Sequence, residues 1–172
     1  MVNVWKEVSN QNKEIFEAIE KQVGMMPNIY SAFAYSNNAL GKFMAFKNQP
    51  NSFTEVENEM ISLVVSKLNN CSYCQRAHAT IAKNKGATNQ MILAALNQSQ
   101  ELSNRENVLI AITQSILEKR GKVTDAELEG FLNAGFSKEH LIDLALLVAE
   151  TSVTNYVHNI TDIEIDFPEL QL

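Results

Sequence analysis

The sequence predicts an all-α fold, a bundle of about eight helices in one domain spanning 1–172. Three observations carry that expectation. Apolar residues recur at spacings of three and four, where a strand would alternate. Three hydroxyl residues are each followed three positions later by glutamate, the pattern of a capped helix start. Only six glycines and three prolines stand among 172 residues, too few for a many-turned all-β chain or a disordered one.

The elements follow in order. A first helix is expected over 11–22, and a second over 27–47 with Pro27 in its first turn, where a missing N–H costs nothing. The third, 54–68, opens on the capping box Thr54-Glu55-Val56-Glu57 and carries apolar residues at 60, 61, 63, 64, 65 and 68, a broad buried face. Asn69 and Asn70 break the chain, and a fourth helix is expected over 71–85, stopped by Gly86, which lacks the Cβ that penalises a left-handed residue. A fifth covers 88–97. Ser103-Asn104-Arg105-Glu106 opens the sixth, 103–119, whose apolar face includes Val108, Leu109, Ile112 and Ile116 and which ends at Gly121. Thr124-Asp125-Ala126-Glu127 opens the seventh, 124–134, ended by Gly135. The last long helix is expected over 137–157, where Leu141, Leu144, Ala145, Val148 and Ala149 repeat the helical spacing. Beyond it, Ile163-Glu164-Ile165-Asp166-Phe167-Pro168 is either an extended arm laid across a neighbouring surface or a frayed end. Segments 54–97 and 103–157 share an order of capped helix, glycine stop and further helices, which suits an internal helical repeat.

Composition excludes several function classes. The net charge of −6 is an ordinary solubility charge and argues against a broad nucleic-acid surface. No Gly-rich phosphate loop and no basic patch interleaved with aromatics is present. The start, Met1 to Glu7, lacks the apolar core of a secretory signal, and the apolar stretch 141–149, interrupted by Asp143, is too short to span a bilayer. A cytoplasmic location without membrane contact is the resulting expectation. Two cysteines cannot staple a disulfide scaffold, so in that compartment they stay reduced unless their own chemistry oxidises them.

Those two cysteines lie in the most informative run of the chain, Asn69-Asn70-Cys71-Ser72-Tyr73-Cys74-Gln75-Arg76-Ala77-His78. On a helix through His78, positions 71, 74 and 78 step by three and four and share one face. The cysteines are then within reach of each other, with His78 one turn beyond Cys74. A helix N-terminus, a nearby proton acceptor and a second thiol are what thiolate chemistry requires. Two other readings stand beside this one. The cysteines are also acceptable as small core residues, and Cys71, Cys74 and His78 supply three zinc-type donors, with Glu59, His140, His158 or water as a fourth. A thioredoxin-like fold is not supported, because the βαβ context is missing.

Glu59, then Cys71-Ser72-Tyr73-Cys74, then His78 resembles the Glu-x11-Cys-x-x-Cys-x-x-x-His signature of the AhpD-like alkylhydroperoxidases, all-helical proteins of the carboxymuconolactone decarboxylase superfamily. The run Glu59 to Ser66 leading into Asn69-Asn70-Cys71 also looks like that family's core helix, and the motif core spans about 54–97. The decarboxylase branch generally lacks the cysteine pair. The resemblance implies a thiol-dependent peroxidase that reduces organic hydroperoxides. Cys74 would attack the peroxide, Cys71 would resolve the product as a disulfide, and His78 with Glu59 would relay protons. It implies no metal or organic cofactor, electrons from an external dithiol or a lipoyl- or thioredoxin-type reductant, and a homo-oligomer, commonly a trimer or hexamer. A non-catalytic or redox-responsive binding module on the same fold, and a decarboxylase-type lyase, are the alternatives. Where the better-known members have a histidine before the second cysteine, this chain has Tyr73. A phenol of pKa near 10 is a poor base at neutral pH, so the relay is expected to be shorter or routed through water.

Residue chemistry pulls against one part of that assignment. The helix dipole acts in the first turn and favours Cys71 as the thiolate, while an ionised Glu59 would raise the pKa of any thiol beside it. Elsewhere, His140 is expected at the surface and His158 at a helix end, interacting with the dipole. Met25, Met26, Tyr30, Phe33, Tyr35, Phe43 and Phe46 are expected to serve core or subunit contacts, and Trp5 to anchor the N-terminal arm.

Overall fold

The computed structural model describes residues 10–47, 49–97 and 102–169, which leaves Trp5 outside the described residues. These residues form nine helices and no strand: α1 (Asn10–Val23), α2 (Asn28–Phe33), α3 (Ala39–Lys47), α4 (Glu55–Leu68), α5 (Ser72–Asn84), α6 (Asn89–Asn97), α7 (Asn104–Glu118), α8 (Asp125–Asn133) and α9 (Lys138–Thr161). The all-α expectation holds, with two differences. The helix expected over 27–47 is broken, because Ala34, Tyr35 and Ser36 close tight i→i+3 hydrogen bonds after Phe33. The polar Ser36-Asn37-Asn38 that follows occupies the turn into α3. The last helix runs four residues beyond 157, to Thr161, where Asp162 takes a left-handed conformation at φ 47°.

Local chemistry sets the starts and stops. All three expected capping boxes are formed, each hydroxyl accepting from the third helical N–H and each Glu accepting from the cap's own N–H. A fourth joins Ser137 to His140 at the start of α9, with the imidazole in the place of the carboxylate. At the end of α5, Gly86 (φ 95°) donates to Lys83 and Ala87 donates to Ala82, the paired bonds of a Schellman stop.

Helix α4 is the axis of the bundle. From Met60 to Ser66 every residue is buried, so the helix has no wet side over almost two turns. One face, with Ile61 and Val65, packs on α7, α8 and α9 through Leu109, Phe131, Leu144 and Val148. The other, with Met60, Leu63 and Val64, packs on α5 and α6 through Ala79, Ala82, Ile92 and Ala95. A third cluster joins α1, α2 and α3 to the start of α5 and to Ile163 of the C-terminal tail. The two buried hydroxyls of α4 are satisfied across the bundle. Ser62 shares a hydrogen bond of 3.2 Å with Thr151, and Ser66 accepts from Asn155 at 3.2 Å.

Glu57 closes the first capping box and also accepts from Arg105 at 2.8 Å. Burial alone would raise its pKa, but the Thr54 backbone N–H, Arg105 and the Thr54 hydroxyl together lower it. A depressed carboxylate stabilises the fold above its unfolded value, about 4.3, and loses that contribution as pH falls through the lower folded value. Urea midpoints measured from pH 6 downward should therefore fall more steeply below about pH 4.5 for wild type than for Glu57→Gln. Leu63→Ala, at a fully buried site, should cost about 2–5 kcal/mol in the same assay.

Candidate active site

The end of α4 places the first cysteine. Asn70 adopts φ 54°, its N–H donates to Lys67, and the Cys71 N–H donates to Ser66 at 2.9 Å, so Asn70 fills the left-handed position of a Schellman turn. The chain leaves that turn with Cys71 as the N-cap of α5. Its sulfur accepts the Cys74 N–H at 3.1 Å, as a Ser or Asp oxygen would. Cys71 and Cys74 are joined as a disulfide, with Cα atoms 5.3 Å apart. Both are buried.

Three glutamates at the start of α4 go three ways. Glu55 pairs with Lys85 at the surface, Glu57 with Arg105, and Glu59 with His78. The Glu59 Oε2 to His78 Nδ1 distance is 2.7 Å, with both side chains mostly buried. A carboxylate only accepts, so this contact puts a proton on Nδ1, and in the neutral ring Nε2 is then the acceptor. The four expected site residues thus lie in one place: Glu59 holds His78, His78 stands one turn past Cys74, and Cys74 is bonded to Cys71.

A cavity of about 140 Å³ opens beside this group. Cys74, Ala77, His78 and Ile81 of α5 form one wall, facing Ile29 and Tyr30 of α2. Thr154 and Glu150 of α9, Lys47 at the end of α3, Phe167 of the tail and Tyr73 also line it. Cys71 is not on the lining, so the two sulfurs differ in access. Lys47 pairs with Glu150 at 3.1 Å. Burial opposes the Lys47 charge, but Tyr30, Glu150 and Glu59 outweigh it and raise its pKa above the ordinary value.

Sequence reasoning missed this polar pair, because neither Lys47 nor Glu150 is near the motif in sequence. Tyr30, expected in a core or subunit contact, lines the cavity, whereas Phe33 and Phe43 stack in the core at 4.6 Å. Of the residues weighed as a fourth zinc donor, His140 belongs to the α9 cap and His158 lies against Tyr73. Among the described residues, no three His, Cys, Asp or Glu side chains are grouped to share an ion.

Tyr73, between the cysteines, turns away from proton relay. Its hydroxyl donates to Asp166 at 2.6 Å and accepts the Ile29 N–H at 3.2 Å. Burial, reinforced by the Asp166 hydrogen bond, pushes the phenol well above the ordinary tyrosine range, so it remains a donor. Asp166 also accepts the Asn28 N–H at 2.7 Å, and Asn28 donates to the Glu164 carbonyl at 3.0 Å. Of the two options for the tail, the arm is therefore the observed one: Ile163 is buried, and Phe167 meets Tyr73 edge-on at 5.5 Å. His158 is in the last turn of α9, as expected, but its ring is buried with its centroid 5.4 Å from that of Tyr73.

Comparison with known proteins agrees with this architecture. Residues 32–101, from the end of α2 to past α6, match the model of the carboxymuconolactone decarboxylase family. An uncharacterised peroxidase-related protein from Silicibacter sp. TM1040 superposes with a TM-score of 0.82 at 24% identity, covering 91% of this chain and 85% of that one. An alkylhydroperoxidase AhpD core from Ralstonia eutropha JMP134, an uncharacterised peroxidase-related protein, gives 0.84 at 19% identity over 96% and 89%. A variant of the debrominase Bmp8 in complex with 2,3,4-tribromopyrrole gives 0.73 at 17% identity over 91% and 86%.

The tail contacts make a specific prediction. Tyr73→Phe removes the hydroxyl that joins α5 to the arm and should destabilise the protein by about 1–3 kcal/mol, since Asp166 and the Ile29 N–H each lose a buried partner. Hydrogen exchange should rise at 163–169 and in the first turn of α2, and stay unchanged in α7 and α8.

Proposed function

We propose that the chain, whose residues 32–101 match the carboxymuconolactone decarboxylase family model, is an AhpD-like member of that superfamily and a thiol peroxidase that reduces organic hydroperoxides through its Cys71–Cys74 pair. The observation that carries this reading is the arrangement of one sulfur, Cys74, on a cavity wall with His78, which is itself held by Glu59. In the reduced protein the Cys74 thiolate attacks the terminal peroxide oxygen. An S–O bond forms, the O–O bond breaks, and the departing alkoxide takes a proton to become the alcohol. The Cys71 thiolate then attacks the sulfenic sulfur, forming the disulfide and releasing hydroxide, which is protonated to water. An external dithiol of small-molecule, lipoyl or thioredoxin type returns two electrons and two protons. His78, oriented by Glu59, is the proton carrier in these steps. No bound metal or organic cofactor enters the cycle, and a cytoplasmic setting would supply the reductant.

Thiol titration tests this directly. One equivalent of cumene hydroperoxide should consume both thiols of the reduced protein. Cys74→Ser should leave Cys71 free, and Cys71→Ser should give a sulfenic acid trapped by dimedone. Glu59→Gln should slow oxidation by about tenfold or more, and His78→Ala by about 100-fold, at unchanged stoichiometry. A wild-type protein that keeps both thiols free where a generic thiol survives would sink the proposal.

A second reading, a redox-responsive binding module, draws support from Tyr73, because the residue between the cysteines is also the one that holds the arm. It is favoured if hydrogen exchange over 163–169 differs between reduced and oxidised protein while peroxide leaves the thiols intact.

We further propose that the protein self-associates through α9. Ile142, Leu146, Ala149, Val153, Tyr156 and Ile160 are exposed and alternate in steps of four and three, an apolar seam of coiled-coil type. Light scattering should report an oligomer for wild type and a smaller species for Leu146→Glu. A monomeric wild type would dismiss the seam as an interface.

A further inference from the structure

We propose that the cavity beside Cys74 is a binding site for one compact, uncharged ring, with Phe167 of the C-terminal arm as the wall that sets its size. This deepens the peroxidase proposal by naming its substrate class, single-ring or similarly compact neutral hydroperoxides, and as a statement about substrate it rests on that proposal. Three observations carry the inference.

The first is volume. At about 140 Å³, the cavity compares with the roughly 150 Å³ that suffices for benzene in an apolar protein interior. A long acyl chain exceeds that several-fold, and hydrogen peroxide would leave most of the apolar lining without a partner. The second is the wall chemistry. Ile29, Ala77, Ile81 and Phe167 offer hydrocarbon, and Tyr30 and Phe167 offer ring faces or edges for an aromatic guest. The third is charge. The cation and the anion on the lining, Lys47 and Glu150, already neutralise each other at 3.1 Å. An incoming carboxylate would meet Glu150, an incoming ammonium would meet Lys47, and His78, also on the lining, is already paired with Glu59, so neither ion finds a free counter-ion to offset its desolvation. A neutral guest needs none, and can still accept a hydrogen bond from Lys47, whose ammonium has three donors.

Phe167 is the adjustable wall. It belongs to the arm, not to a helix, and its position depends on Asp166, which binds the Tyr73 hydroxyl and the Asn28 N–H. The arm therefore sets the width of the cavity that Cys74 faces.

Binding to the disulfide form, followed by amide shifts in NMR titrations, tests this without turnover. Benzyl alcohol should shift the amides of Ala77 and Thr154 saturably, with millimolar affinity as befits so small a ligand. Benzoate and benzylammonium should bind at least about tenfold more weakly, the factor that about 1.4 kcal/mol of unpaired charge supplies. 2-Naphthylmethanol should be excluded by wild type and admitted by Phe167→Ala. Ala77→Leu, which fills the cavity from α5 and leaves the residues of the arm unchanged, should lose benzyl alcohol. Absence of a saturable benzyl alcohol shift, equal binding of either ion, or wild-type binding of the naphthyl alcohol as tight as that of benzyl alcohol would each overturn the site. Because the probes carry no peroxide, ring binding with inert thiols would retain the site and reject the peroxidase, and the converse result would do the reverse.

Discussion

The burial of α4 on every side is the constraint on which the rest depends. A helix with one wet face can rotate a little at small cost, whereas one packed from Met60 to Ser66 on both of its neighbouring layers cannot. One residue of slip would turn it by about 100° and advance it by about 1.5 Å, carrying Ser62 and Ser66 away from Thr151 and Asn155. Unpaired hydroxyls in that environment cost about 1–3 kcal/mol each, so the register is fixed by polar as well as apolar contacts. Glu59 at one end and the Asn70 turn at the other inherit that register. The carboxylate that orients His78 and the turn that delivers Cys71 are thus two ends of one immobile rod.

The opposing pulls on the cysteines separate once access and leaving ability are distinguished. Cys71 caps α5 and receives the Cys74 N–H, so the dipole and a hydrogen bond both favour charge on its sulfur. Cys74 receives no such capping bond but faces the cavity. In the proposed cycle these are complementary properties. The sulfur that meets an incoming peroxide or dithiol is the accessible one. The sulfur that departs when a reductant attacks Cys74 is the one whose thiolate the helix start stabilises, and a stabilised thiolate leaves faster.

What was legible in the sequence was what short-range chemistry writes. Capping boxes and the glycine stops of α5 and α8 each act within a few turns of helix and are found where they were expected, whereas α7 stops with Arg120 in the left-handed position and Gly121 one residue later. The break at Ser36 was hidden because an apolar pattern with correct spacing continues through Phe33, Leu40 and Phe43, and only the polar trio between them hinted at a turn. Lys47 and Glu150 are about a hundred residues apart, and no local pattern announces that they pair across a cavity. The arm was ambiguous for the same reason: alternation in Ile163-Glu164-Ile165-Asp166 suits extended chain, but its docking surface is assembled from α2 and α5.

Tyr73 shows how one substitution in a motif redistributes roles. A histidine at this position would bring a titrating group near neutral pH into the dithiol. The phenol brings none, since burial and Asp166 hold its proton in place. What it supplies instead is reach: from between the two cysteines its hydroxyl spans to the backbone of α2 and to a carboxylate on the arm. A movement of the α5 start would act on two segments, α2 and the arm, through this one oxygen. The loss of a relay group and the gain of a long-range tie therefore have the same physical origin, a side chain too weak as a base to titrate but long enough to be hydrogen-bonded at its tip.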